Sequence, residues 1–240
     1  MRSSIWLKPR RILIAAAVFH LTVTLSIFVV GRAQVLPFTF DVNGLAFPHD
    51  SDGVEARAEI MRLSDTLVDG EFSDWLSSPS PFHLKLYSTC FALPGRLLGP
   101  NILSIEPLNA LCYLAILLLI VNLGQEAVNR RAGLLAAATV ALWPSFLLHT
   151  TQPLKDPLFL MAMLAFVIVN LRLLSKSFSL AQALGTGAVG GAIAAFIWFL
   201  RDNMGELIIA TLALGIGMLI FRQCRLRQLQ VANLVGCSCC

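Results

Sequence analysis

The chain has 240 residues, 57% of them hydrophobic and 13% charged, with a net charge of +4 and a mean hydropathy of +0.75. This composition excludes an ordinary soluble domain and predicts an all-α integral membrane protein, because isolated strands leave backbone groups unpaired in lipid. The basic residues stand in short clusters at the ends of apolar runs rather than along a stripe. Nucleic acid is therefore excluded as a partner, and a lipid bilayer is expected instead.

The amino terminus, MRSSIWLKPRRILIAAAVFHLTVTLSIFVVGRAQ, opens like a secretory signal, but its apolar run from Ile12 to Val30 exceeds a signal's hydrophobic region. It reads as a retained anchor, with GRAQV as the alternative cleavage site. Further runs long enough to cross a bilayer are Pro107 to Leu123, Ala132 to His149, Pro157 to Leu174, Ala181 to Leu200 and Met204 to Phe221. The expectation is a single membrane domain of about six spans, with a long loop from Gly31 to Glu106 and a tail from Arg222 to Cys240.

Loop charges orient this arrangement. With the amino terminus in the cytoplasm, the clusters Arg10–Arg11, Arg130–Arg131, Arg172 with Lys176, and Arg222 to Arg227 all fall inside, as the positive-inside rule requires. Every acid except Glu126 then falls outside, Glu106 included. The localisation this implies is a bacterial inner membrane with a cytoplasmic amino terminus.

Within the long loop, SDGVEARAEIMRLSDTLVDG predicts an amphipathic surface helix with Asp52 as its N-cap and Val54, Ala58, Met61 and Leu67 at helical spacing. Trp75 reads as an interfacial anchor. Phe82 to Pro100 contains Lys85, Pro94 and Arg96, which suit it poorly to a span. It is expected to lie on the membrane with Leu84, Tyr87, Phe91 and Leu98 toward lipid and Lys85 snorkelling. His20, inside the first span, is expected to bond a neighbouring helix, and the small residues of GTGAVGGAIAA to pack helices closely.

The cysteines form neither a disulfide framework nor paired metal-ligand spacings: Cys90 is in the loop, Cys112 in a span, Cys224 just after the last run, and Cys237, Cys239 and Cys240 in the tail. The terminal CSCC is expected to be an ordinary tail, with lipidation as the alternative.

Two acids stand where chemistry at the outer surface would need them: Asp50 in FPHDSDGVEARAEIM, with His49 beside it and Asp52 as its competitor, and Asp156 in TTQPLKDPLF. A carboxylate near anionic head groups is unfavourable unless it takes a proton or holds a divalent cation that bridges to phosphate. Lys85, Lys155 and Arg201 are outer cations suited to a phosphate. The simpler role for Asp156 is to neutralise Lys155 or to begin the next helix ahead of Pro157.

The order of these landmarks resembles the GT-C superfamily of membrane glycosyltransferases, in the branch of the protein O-mannosyltransferases and the aminoarabinose transferases of lipid A. The resemblance runs through HDSDGVEARAEIM, a segment ending in LLGP, an NRRAG turn, LWPSFLLHTTQPLKDPLF and FLRDN. It implies transfer of a sugar from a polyprenyl-phosphate donor to an acceptor at the outer face. Asp50 would be the catalytic base and Asp156 the acid of the second outer loop, while Lys85, Lys155, Arg201 and His49 would hold substrate. Family members usually carry more spans, which implies a short member or a site completed by a partner subunit. The alternative from another class is a noncatalytic subunit or scaffold that keeps the lipid-binding core. A transporter is disfavoured because the ionisable residues gather at the outer rim.

Overall fold

The computed structural model describes residues 9–45, 51–175, 178–201 and 205–226. The described elements are helices, in the order α1 (Pro9–Arg32), α2 (Ser51–Val68), α3 (Phe72–Ser77), α4 (Phe82–Ala92), α5 (Gly95–Leu98), α6 (Ile102–Ala127), α7 (Arg130–Ala141), α8 (Pro144–Thr151), α9 (Asp156–Ser175), α10 (Leu180–Leu200) and α11 (Gly205–Leu226). No strand occurs among the described residues, and the protein is an all-α integral membrane protein. Among these residues α1, α6, α9 and α10 are long and apolar enough to cross a bilayer, and the bent pair α7–α8 makes a fifth candidate if it counts as one span. The sixth expected run, Met204 to Phe221, falls largely on α11, several of whose side chains lie outside the described residues.

The expected span from Ala132 to His149 is broken. Trp143 is extended, with φ −74° and ψ 115°, because the ring of Pro144 excludes the helical region for the residue before it. Pro144 then opens α8, where its missing N–H costs nothing, and the axes of α7 and α8 differ by 69°. The Tyr113 hydroxyl donates to the Ala141 carbonyl at 2.9 Å, pairing one of the orphan acceptors that end α7.

The expected start of the next span also moves. α6 begins at Ile102 rather than Pro107, because the Asn101 side chain accepts from the Leu103 N–H at 2.9 Å and caps the helix. Glu106 therefore lies inside α6 and is buried.

The described residues form two compact units, one from residues up to Leu117 with Ala138–Pro157, the other from Leu118–Ala137 with residues from Leu158 onward. In the first unit the long loop is part of the core rather than a cover on lipid. Ile60 and Leu63 of α2 and Leu84, Tyr87 and Phe91 of α4 pack with Ile27, Ile102 and Ile105. Three of the four residues expected to face lipid, Leu84, Tyr87 and Phe91, are buried, while Leu98 is exposed. In α2 the buried stripe is Ile60, Leu63 and Ser64, not Val54 and Ala58, which are exposed. The helix begins at Ser51, so Asp52 lies within its first turn rather than capping it. Trp75 is half-buried and its indole donates to Ser88 Oγ at 2.9 Å.

In the second unit, the turn between α6 and α7 needs glycine twice. A Cβ on Gly124 would fall 2.7 Å from the Gly133 nitrogen, and a Cβ on Gly133 3.1 Å from Val121 Cα. The Ser179–Gln182 capping box opens α10. Ala183, Gly187, Gly190, Ala194 and Ile197 form its buried stripe, so Gly187 and Gly190 serve packing. Arg172 Nε and Glu126 Oε1 pair at 3.0 Å.

Candidate functional site

The first unit is organised around buried polar side chains rather than around an apolar core alone. Along α1, Ala16, His20, Thr24, Ile27 and Gly31 recur every three or four residues on the inward face, while Val18, Leu21, Leu25 and Val29 are exposed. Two of the inward positions are polar. His20 Nδ1 lies 2.9 Å from Glu106 Oε1 and His20 Nε2 lies 3.2 Å from Thr150 Oγ1. Thr24 Oγ1 donates to Glu106 Oε2 at 2.7 Å. Thr24 is six residues inward of Val30, so the group sits roughly 9 Å below the end of the apolar run.

Hydrogen-bond bookkeeping fixes the character of this group. Thr150 Oγ1 is 2.9 Å from the Phe146 carbonyl, closer than it is to the imidazole, so its proton goes to the backbone and its oxygen accepts from His20 Nε2–H. Thr24 supplies a donor to one carboxylate oxygen. The remaining carboxylate oxygen, Oε1, faces His20 Nδ1. The Tyr113 ring covers the imidazole at 4.5 Å between centroids.

Thr150 leads straight into the segment Gln152 to Asp156, the punctuation between two apolar runs in the sequence. This loop is held at several points. The Tyr87 hydroxyl is 3.2 Å from the Leu154 carbonyl and 3.0 Å from Asn109 Oδ1. Asn109 Nδ2 is 3.5 Å from the Gln152 carbonyl. Gln152 Nε2 donates to the Gly44 carbonyl at 3.4 Å, which ties the loop to the turn just before residues 46–50. That turn is itself rigid: Asp41 Oδ1 accepts from the N–H groups of Asn43 and Leu45, each at 2.8 Å, Arg57 pairs with Asp41 Oδ2, and the Ile102 N–H donates to the Asn43 carbonyl at 3.0 Å.

Lys155 and Asp156 emerge exposed from this framework, with Asp156 in the first turn of α9, where the helix dipole favours an acid. His83 of α4 feels both charges. Burial pushes it down to about 4, the Lys155 ammonium adding to the effect and the Asp156 carboxylate opposing it. Lys85, two residues on, is engaged elsewhere: its ammonium donates to the Leu76 carbonyl at 2.8 Å and lies 5.9 Å from the centre of the Trp75 ring. Arg201 belongs to the second unit, ends α10, and has its guanidinium 5.0 Å from the centre of the Phe159 ring.

Asp50 and His49 lie outside the described residues, as does the side chain of Asp52. Among the described residues no three of His, Cys, Asp and Glu gather as a cation site. Sequence reasoning missed the anchors Asn109, Tyr87 and Gln152 and the partner of His20. Available signals were the acid before a proline at the start of an apolar run, SIEPLNALCY, and a threonine one turn after a histidine in HLTVT. No family model, curated protein or solved structure matches the chain.

Proposed function

We propose that the protein is a membrane glycosyltransferase of the GT-C kind, which moves a sugar from a polyprenyl-phosphate donor to an acceptor at the outer face of a bacterial inner membrane. The observation that carries this reading is the hydrogen bond from Gln152 to the Gly44 carbonyl. It ties the loop of Asp156 to the turn at Gly44, which precedes Asp50 by six residues in the sequence. Asp50 takes the proton of the acceptor hydroxyl, and the acceptor oxygen attacks the anomeric carbon. The bond from that carbon to the phosphate oxygen breaks, and polyprenyl phosphate leaves with the bonding pair. Lys155 offsets the charge on the leaving phosphate, and Asp156 orients the acceptor or holds a divalent cation there. Lys85 is a further candidate for the phosphate, and would have to release the Leu76 carbonyl to serve.

Native mass spectrometry of the full chain in detergent, with added polyprenyl phosphate, tests the donor side. Retention of the lipid by the wild type and its loss in Lys155→Ala support the transferase. A folded wild type that retains no such lipid supports neither a transferase nor a scaffold with a lipid-binding core. Binding without turnover under any donor favours the noncatalytic subunit.

A further inference from the structure

The His20–Glu106 pair stands apart from the exposed acids and takes no part in the reaction proposed above. Its place is nonetheless specific. His20 is on α1, Glu106 on α6 and Thr150 on α8, and two residues after Thr150 the Gln152–Asp156 loop begins. The pair is buried, with His20 fully enclosed. The groups facing the imidazole are Glu106, Thr150 and the Tyr113 ring, and Thr24 completes the carboxylate. Every polar atom of the pair is thus given a partner, and each partner lies on a different helix or a different turn. Such a network fixes distances between helices far more sharply than apolar packing, because a slip of one position orphans several buried groups together.

We infer that His20 and Glu106 are positioning residues for the Gln152–Asp156 loop, acting through Thr150. The imidazole holds the Thr150 oxygen from one side while the Phe146 carbonyl takes its proton from the other. The last turn of α8 is thereby pinned, and with it the start of the loop. Tyr87 and Asn109 hold the loop further on, so the pair sets its entry and those residues set its course. The positioning stands on the hydrogen bonds alone. Its relevance to sugar transfer rests on the function proposed above.

The test uses the full chain in lipid nanodiscs with a reporter at the half-buried Leu154 (Leu154→Cys), labelled by a membrane-impermeant maleimide and read at that position by peptide mass spectrometry. Thr150→Val, His20→Leu and Glu106→Leu are each expected to raise the labelling rate by about fivefold or more, as local opening becomes easier. Glu106→Gln is expected to label near the parent rate, since its amide can donate to His20 Nδ1 and accept from Thr24. A second reporter, Asp69→Cys in the turn just after α2, should label equally in every background. Unchanged labelling at position 154 in Thr150→Val overturns the inference, as does a Glu106→Gln rate equal to that of Glu106→Leu. A parallel rise at position 69 also overturns it, by showing general loosening. If His20→Leu does not fold, Thr150→Val decides alone, because it removes only the hydroxyl. Failure of the transferase reading appears separately, as absence of turnover in the wild type, and leaves the labelling result intact.

Discussion

The Tyr87 hydroxyl on α4 lies 3.0 Å from the Asn109 side-chain oxygen on α6, and the ring beneath it is fully buried. The same hydroxyl is 3.2 Å from the Leu154 carbonyl, so one phenol joins a loop helix, a spanning helix and the Lys155–Asp156 loop. Tyr87→Phe keeps the ring and strips this junction of its donor. The expected cost is about 1–2 kcal/mol, because a buried acceptor is left unpaired. Chemical unfolding in detergent micelles, followed by tryptophan fluorescence, measures it, and an unchanged midpoint would show the hydroxyl to be dispensable.

Gly31 closes α1 where the 41–45 turn folds back on it. A Cβ there would meet the Gly44 nitrogen and Cα at 2.9 Å, both of them backbone atoms with no rotamer to yield. Gly31→Ala is therefore expected to destabilise by about 1–3 kcal/mol. Gly185 on α10 has nothing within 4 Å of the same added atom, so Gly185→Ala should be neutral or stabilise by up to about 1 kcal/mol through helix propensity. Unfolding midpoints of the two variants, measured side by side, should differ in sign or clearly in size.

His83 makes acid stability a local property. Its ordinary value of 6.5 is lowered to about 4, chiefly by burial. Between those values the unfolded chain binds the proton and the folded chain resists it. The His83 contribution is therefore fully present above 6.5, declines as pH falls, and is lost below about 4. His83→Gln should flatten the fall in unfolding midpoint between pH 7 and pH 4.5. An identical slope in wild type and variant would place the acid sensitivity elsewhere.

Cys90 should be a poor nucleophile. Burial raises its thiol to about 11, so at pH 7 roughly one molecule in 10⁴ carries the thiolate. Maleimide labelling of the folded chain at pH 7 is expected to leave Cys90 unmodified on the timescale that labels an exposed cysteine. Rapid modification would mean that α4 opens readily.

The class of protein was legible from composition alone, since a chain this apolar has few other solutions. The helix ends were less so. Pro107 looks like a first helical residue, and only the Asn101 cap six residues earlier shows that α6 has already begun. Trp143 and Pro144 announce the break between α7 and α8, but a count of apolar residues runs through it. The long loop was misjudged for a physical reason: Leu84, Tyr87 and Phe91 share a face suited equally to lipid and to protein, and periodicity cannot tell which covers it. The reading of His20 as bonded to another helix agrees with its contact to Glu106, whereas Glu106 itself was expected at the rim. Its burial removes the argument that ionisable residues avoid the spans, and with it the ground given for disfavouring a transporter. Asp50 and His49 lie outside the described residues; what is described is the bond between Gln152 and Gly44 and the loop that leads to Asp156.

The most direct test of the central claim is turnover. The full chain in nanodiscs would be given a polyprenyl-phosphate hexose together with a membrane extract as acceptor source, and release of polyprenyl phosphate followed by mass spectrometry for wild type, Asp50→Asn and Asp156→Asn. The account predicts release by the wild type, with a loss on the order of 10²-fold or more in Asp50→Asn, as expected for removal of a general base, and a marked loss in Asp156→Asn with bound donor retained. Release that persists at the wild-type rate in both variants would contradict it.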